Sequence, residues 1–416
     1  MEPSNAKNKL RRKKPTPPSP IEESINAWFH SSALPQQPNP PAITRLNELV
    51  AQAPKRWTVY EPMVLLPSGS FGTAAWKQLL PELSGEQADD LWIQILAEIS
   101  RRTGGAGLTH LAINEGIPAA LHGSNGEAAE HDLERGHRAP ENILRSPASL
   151  RMLHGDFGPA SSDTAPGSDD WGRAFWVSTR QNGVFQTWAP RWTMFSRGNV
   201  KEKARLLDFH GRGGEHPRDK SALESAWAVD LYAGIGYFTF SYAKLGMRVL
   251  CWELNPWSVE GLRRGARGNG WTVRVVKEDS ELALPMQELL SGGERIVVFL
   301  EDNKYAARRL AELSEVDIPH VNCGLLPTSD ATWTAAWEMA GRSKGEEAWL
   351  HLHENVGVAD IQKRKGEIEE YFSDLAYKDG RKRTAQVEHT ELVKTFAPGV
   401  WHCVFDVYIT KSSSII

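Results

Sequence analysis

In the second half of the chain, short apolar runs alternate with stretches of helical period. Residues 226–232, 248–253, 296–300, 321–326 and 348–353 read as buried strands with helices between them, which predicts βαβ units and a largely parallel sheet. Two further apolar runs, 386–393 and 400–409, are joined by a short Lys-Thr-Phe-Ala-Pro-Gly connection and predict an antiparallel hairpin closing that sheet. Upstream, 57–66 reads as a strand entering a turn at PSGSFG, and 91–99 has helical period. Strand-like pieces at 150–153 and 175–179 flank a Gly/Pro/Ser/Asp surface loop at 155–170. A helix is expected at 202–209, followed by a polar insertion at 211–220. The first 42 residues are rich in Pro, Ser, Asn and Lys and read as mostly disordered, with folded sequence beginning near Ile43. The expected organisation is a tail (1–42), a smaller α+β domain associated with the substrate (43–198, loop insertion near 155–170), and a doubly wound α/β, Rossmann-type domain (199–416).

At 416 residues the chain is long enough for two domains, and 40% hydrophobic with 24% charged residues is a globular composition. No apolar run approaches the roughly eighteen residues of a membrane span. The basic N-terminus leads into PTPPSP rather than an apolar stretch, so it lacks the core of a secretory signal. Cys251, Cys323 and Cys403 lie far apart without metal-ligand spacing, which suits a reducing, cytoplasmic setting. The net charge of -4 does not advertise a nucleic-acid binder, although the run from Lys7 to Lys14 is a local patch: a solvated tail, a targeting signal or a loose RNA contact.

The strongest chemical signal is Val229-Asp230-Leu231-Tyr232-Ala233-Gly234-Ile235-Gly236-Tyr237-Phe238-Thr239, a strand that breaks into Gly-x-Gly and then resumes helical period. Glycines there let the backbone turn tightly and a ligand approach closely. At the end of the next strand, Glu253 supplies a carboxylate for two ribose hydroxyls. The third glycine of a dinucleotide fingerprint is replaced by Thr239, and Asp230 stands four residues before Gly234. This is the D-x-x-x-G-x-G form of class I methyltransferase-like folds, so S-adenosylmethionine is the expected co-substrate.

Six segments, DLYAGIGYFT, CWELNP, LEDN, VNCGLLP, HLHENV and VKTFAPGVWH, come in the order found in the tRNA wybutosine-synthesising protein 2 family, and RSPASLRMLHG and MFSRGNVKEKARL are similar too. The chain resembles that family from about Trp57 to its end. The resemblance implies transfer of the 3-amino-3-carboxypropyl group of S-adenosylmethionine to 4-demethylwyosine in phenylalanine tRNA, with release of methylthioadenosine. Related guanosine N1-methyltransferases carry Asn-Leu-Pro where this chain has Gly324-Leu325-Leu326-Pro327, and an asparagine there would contact the base. Gly324 favours the aminocarboxypropyl transferase, although it also suits the end of a strand. A methyltransferase and a non-catalytic tRNA-binding protein are the alternatives.

The resemblance also assigns contacts. Asp302 and Asn303 match the family's Asp-Asn at the adenine edge, with Asp279, after the strand-like 273–276, as the competing end of the third strand. The stretch 282–293 then reads as an insertion. Ser196 and Lys203 match positions contacting the methionine part, and Arg205 is a further cation; alternatively Asn199 and Glu202 form a capping box whose helix is decorated by Lys201, Lys203 and Arg205. His351 and His353 alternate along a strand and invite a metal reading, but no partner stands at helpful spacing and the reaction needs no metal. Trp188, Trp192, Trp252 and Trp401 are expected in the core, with stacking on RNA as the other role. No catalytic acid or base is apparent.

Overall fold

The computed structural model describes residues 17–32, 41–104, 107–115, 150–160, 165–211, 216–314, 316–380 and 382–411. The basic run Lys7–Lys14 lies outside them, as do parts of the expected loops at 155–170 and 211–220. The chain divides into two compact units, one of residues up to 119 together with 149–156, the other holding 157–416.

The first unit carries a four-stranded sheet of β1 (Thr58–Tyr60), β2 (Met63–Leu66), β3 (His110–Asn114) and β4 (Leu150–His154), in that order, with only the β2–β3 pair parallel. Its core joins Val64, Leu66, Leu111 and Ile113 to Leu91, Ile95 and Ile99 of the helix Gly85–Thr103. The expectation of disorder up to residue 42 fails here: Pro20–Ser31 is a helix whose Ile21, Ile25 and Trp28 are fully buried. Its signal is local. Ser19 accepts the Glu22 N–H while Glu22 reaches back to the Ser19 N–H, a capping box with Pro20 in the first turn.

In the second unit, a hairpin of β5 (Val177–Gln181) and β6 (Val184–Trp188) precedes an eight-stranded sheet. Its strands are β7 (Trp227–Asp230), β8 (Arg248–Trp252), β9 (Val273–Val276), β10 (Ile296–Phe299), β11 (His320–Cys323), β12 (Glu347–Gly357), β13 (Arg383–Ala397) and β14 (Val400–Lys411), in the order β13-β14-β12-β11-β7-β8-β10-β9. All neighbours are parallel except the pairs made by β14, which runs antiparallel to both β12 and β13. The doubly wound sheet and its closing hairpin are as the pattern predicts.

The expected boundary at 198/199 differs from the contact boundary at 156/157, and a helix explains it. In Pro256–Gly268, a Cβ at Gly261 would lie 2.8 Å from the Thr187 carbonyl oxygen, and one at Gly268 would strike the Phe185 ring. Those glycines let the β5–β6 hairpin press against the helix. Asn269 then accepts the Phe185 N–H at 2.8 Å and donates to the Phe185 carbonyl at 2.7 Å, so the hairpin is tied to the second unit.

The two faces of the large sheet differ. One is apolar, with Val229, Leu250, Val297, Val321, Leu350, Leu352, Phe405 and Val407. The other buries Asp230, His320, Asn322, His351, His353, His402 and Asp406.

Candidate active site

The expected cofactor-binding segments converge at the carboxyl ends of β7, β8, β10 and β11, where open α/β sheets bind ligands. After β7 the chain turns through Gly234 (φ +53) and Gly236 (φ +91) into the helix Thr239–Leu245. A Cβ at Gly236 would meet the Phe240 ring at 2.6 Å, so backbone conformation and packing both require glycine.

Asp230 braces this loop from below. Its Oδ1 accepts Asn322 Nδ2 at 2.9 Å and the Tyr232 N–H at 3.3 Å; its Oδ2 accepts the Thr239 N–H at 3.1 Å and the Thr239 hydroxyl at 2.8 Å. Burial pushes its pKa up, and these donors act in the opposite sense. With no exposed surface, Asp230, a candidate cofactor-binding residue by its place in the D-x-x-x-G-x-G form, bears on a ligand through the loop it shapes.

Glu253 stands at the rim. Oε2 accepts the Gly234 N–H and Oε1 the Asn255 N–H, both at 2.8 Å, leaving each oxygen a further lone pair. Burial raises its pKa as well, against the pull of those amides. Asn255 in turn caps the helix Pro256–Gly268 by accepting the Trp257 N–H at 2.9 Å.

Both strand-like segments in the disputed region form strands, and β10, not β9, lies beside β8. Asp302 and Asn303 therefore follow the strand adjacent to that of Glu253. Asp302 accepts the Lys304 N–H at 2.9 Å, and Asn303 Nδ2 donates to the Leu231 carbonyl at 2.8 Å, which ties this turn to the start of the glycine loop. Residues 282–293 carry the short helix Met286–Leu289.

On the other side of the glycine loop, Lys203 is buried in the helix Val200–Asp208. Its Nζ donates to Gln186 Oε1 at 2.8 Å and Gln181 Oε1 at 3.0 Å, and lies 5.4 Å and 5.3 Å from the ring centroids of Phe195 and Tyr237. Burial, and then the charge of Lys394, pull its pKa down to about 7. Gln186 Nε2 is buried without a partner. Nearby, Lys394 Nζ donates to Ser196 Oγ at 2.9 Å, and the Ser196 N–H donates to the Tyr237 hydroxyl at 3.1 Å. Lys394, Tyr237 and Gln186 were not singled out from sequence as site residues; VKTFAPGVWH contains Lys394 and DLYAGIGYFT contains Tyr237, while nothing marked Gln186.

Arg205 does not join this group. It donates to Glu202 Oε2 at 2.9 Å and Asp406 Oδ1 at 3.1 Å, and is a buried structural ion pair. Asp406 also lies 2.7 Å from His351 Nδ1, His351 Nε2 lies 2.9 Å from His320, and His320 lies 2.8 Å from His210. His353 pairs with His402 at 2.9 Å. The histidines of β12 are thus bonded mainly to other imidazoles, and among the described residues no group of three or more His, Cys, Asp or Glu is placed to hold a metal. The tryptophans are packing residues: Trp188 stacks on Phe195 at 4.2 Å, Trp192 on Trp257 at 5.0 Å and Trp252 on Phe299 at 4.9 Å, while Trp401 lies against the main core.

A carboxylate at the end of β8, a glycine loop beside it and a buried ammonium held only by amide oxygens suit a ligand with ribose hydroxyls at one end and a carboxylate at the other. S-adenosylmethionine has that form. The unpartnered Gln186 amide and the absence of an acidic partner for Lys203 among the described residues favour an incoming anion.

No protein-family model matches the chain. It is 38% identical over 365 residues to tRNA wybutosine-synthesizing protein 2 of Schizosaccharomyces pombe, covering 88% of this chain and 75% of that one. It is 31% identical over 404 residues to the protein of the same name from Saccharomyces cerevisiae, covering 88% and 77%. Among solved structures, P. horikoshii TYW2 in complex with MeSAdo superposes with a TM-score of 0.53 at 17% identity, over 94% of this chain and all of that one, a likeness of fold.

Proposed function

Since the chain belongs to the tRNA wybutosine-synthesizing protein 2 family, we propose a residue-level reading of how it transfers the 3-amino-3-carboxypropyl group of S-adenosylmethionine to tRNA. The acceptor is 4-demethylwyosine in phenylalanine tRNA, and the enzyme works in the cytoplasm.

The observation that carries the site is Lys203, a buried cation that no carboxylate neutralises among the described residues. It receives the methionine carboxylate, with Lys394 and Ser196 alongside it. Glu253 accepts the ribose hydroxyls, Gly234 and Gly236 leave room for the nucleoside, and Asp302 and Asn303 border the adenine. Anchoring both ends fixes the pose of the co-substrate, and that the γ-carbon rather than the methyl group meets the base is what membership of the family implies.

S-adenosylmethionine supplies an electrophilic γ-carbon and a neutral thioether leaving group, so orientation does most of the catalytic work. Gly324 serves that orientation by its size. A Cβ there would approach Asn322 Nδ2 to 2.9 Å and the Phe238 ring to 3.6 Å, disturbing the amide that holds Asp230.

The test is product analysis with phenylalanine tRNA carrying 4-demethylwyosine. Methylthioadenosine is the expected by-product; S-adenosylhomocysteine would overturn the reading in favour of a methyltransferase.

A further inference from the structure

The chain has 13 phenylalanines and 16 tryptophans. Among the described residues, one of these twenty-nine (13 plus 16) is exposed: Phe396, at 55% of its surface. It sits near the tip of the β13–β14 hairpin, where Gly399 turns the chain with φ +74. Because β14 runs antiparallel to β12, with Val400 opposite Gly357, this tip projects at the carboxyl end of the sheet, where the site lies.

Phe396 is two residues from Lys394, whose Nζ is bonded to Ser196 Oγ. Met194, two residues before Ser196, is also exposed, at 50%. The two segments approach closely: a Cβ at Gly198 would strike the Lys394 side chain. Val358, 56% exposed, is held at the hairpin tip by its N–H, which donates to the Gly399 carbonyl at 3.0 Å. Arg197, exposed, stands beside Ser196. A large apolar ring left in water at the mouth of a site, with a cation next to the same contact, is the combination that single-stranded RNA recognition uses: an aromatic platform for a base and a positive charge for its backbone.

We propose that Phe396, with Met194 and Val358 beside it, is the shelf on which the tricyclic base of the tRNA stacks, with Arg197 facing the adjoining backbone phosphate. This assignment rests on the reading that Lys394 and Ser196 hold the methionine end of S-adenosylmethionine. The base is neutral, flat and larger than an ordinary purine, so a ring that presents a face without a hydrogen bond to satisfy is suited to it. The shelf positions the base's nucleophilic carbon and takes no part in bond making.

The full-length enzyme and its Phe396→Ala, Phe396→Leu and Phe396→Tyr variants test this, with phenylalanine tRNA bearing 4-demethylwyosine as substrate and calorimetry for S-adenosylmethionine. Loss of a base–aromatic stack should raise KM for the tRNA roughly ten- to hundredfold in the Ala and Leu variants, while Tyr stays near the parent and the S-adenosylmethionine Kd is unchanged. A Leu variant as good as the parent would reduce the ring to bulk, and an Ala variant within twofold of the parent would remove it from RNA binding; either result overturns the proposal. Lys394→Ala tests the underlying reading separately, since that variant should lose S-adenosylmethionine affinity whatever Phe396 does.

Discussion

The Gly234 N–H donates to Glu253 Oε2 at 2.8 Å, so the carboxylate we propose for the ribose also holds the glycine loop. Binding and loop shape are coupled through one side chain. Glu253→Ala should therefore weaken S-adenosylmethionine binding by more than one contact would suggest, with each hydrogen bond to the charged group contributing roughly 1.5–3 kcal/mol. Titration calorimetry reads this directly, and an unchanged Kd would place the ribose site elsewhere.

If Lys203 receives the methionine carboxylate as proposed, S-adenosylmethionine affinity should depend on pH. The Lys203 pKa of about 7 means that the side chain becomes largely neutral as pH rises above that value. A bound carboxylate would stabilise the ammonium, so binding above pH 7 should take up a proton and weaken, by up to about tenfold per pH unit. Calorimetry in buffers of different ionisation heat measures the proton. Lys203→Met should bind weakly and lose this dependence, and a Kd of the parent that stays flat from pH 7 to 9 would contradict the role.

Asp230→Asn tests the brace. The carboxylate accepts four hydrogen bonds, and an amide turns a donor toward donors that previously had an acceptor. Leaving buried groups unsatisfied costs about 1–3 kcal/mol each. A lower urea midpoint and weaker S-adenosylmethionine binding are expected together; loss of binding at full stability would instead indicate direct contact.

The histidine-lined face of the sheet should make the second unit sensitive to acid. Burial lowers His210 and His402 from 6.5 to about 4, so both are neutral in the folded protein at physiological pH. The unfolded chain binds protons near pH 6.5, whereas the folded one holds out to about pH 4. Their contribution is complete above pH 6.5 and is lost as pH falls through that window, by up to about 1.4 kcal/mol per pH unit per histidine. Urea midpoints at pH 7.5, 6 and 5 should decline, and less steeply for His402→Phe.

Much of this protein is written in local sequence. The alternation that becomes β7 to β14, the Gly-x-Gly loop and the acid ending β8 are legible because strand period, turn residues and chain order depend on near neighbours. The helix Pro20–Ser31 was equally open to reading from its capping box, but the surrounding prolines and serines hid it, and its burial against Gly85–Thr103 appears only in three dimensions.

Tertiary structure decided what each charged residue does. Lys203 and Arg205 sit two positions apart on one helix, and only the family resemblance set Lys203 apart in sequence; folding placed Arg205 between Glu202 and Asp406 and left Lys203 among amides and rings. Lys394 reached Ser196 only when β13 took the edge of the sheet. Local pattern determines where the chain becomes strand or helix, because that depends on a few adjacent residues. Which cation is neutralised and which is left for a ligand depends on partners brought from distant parts of the chain, and no spacing records those.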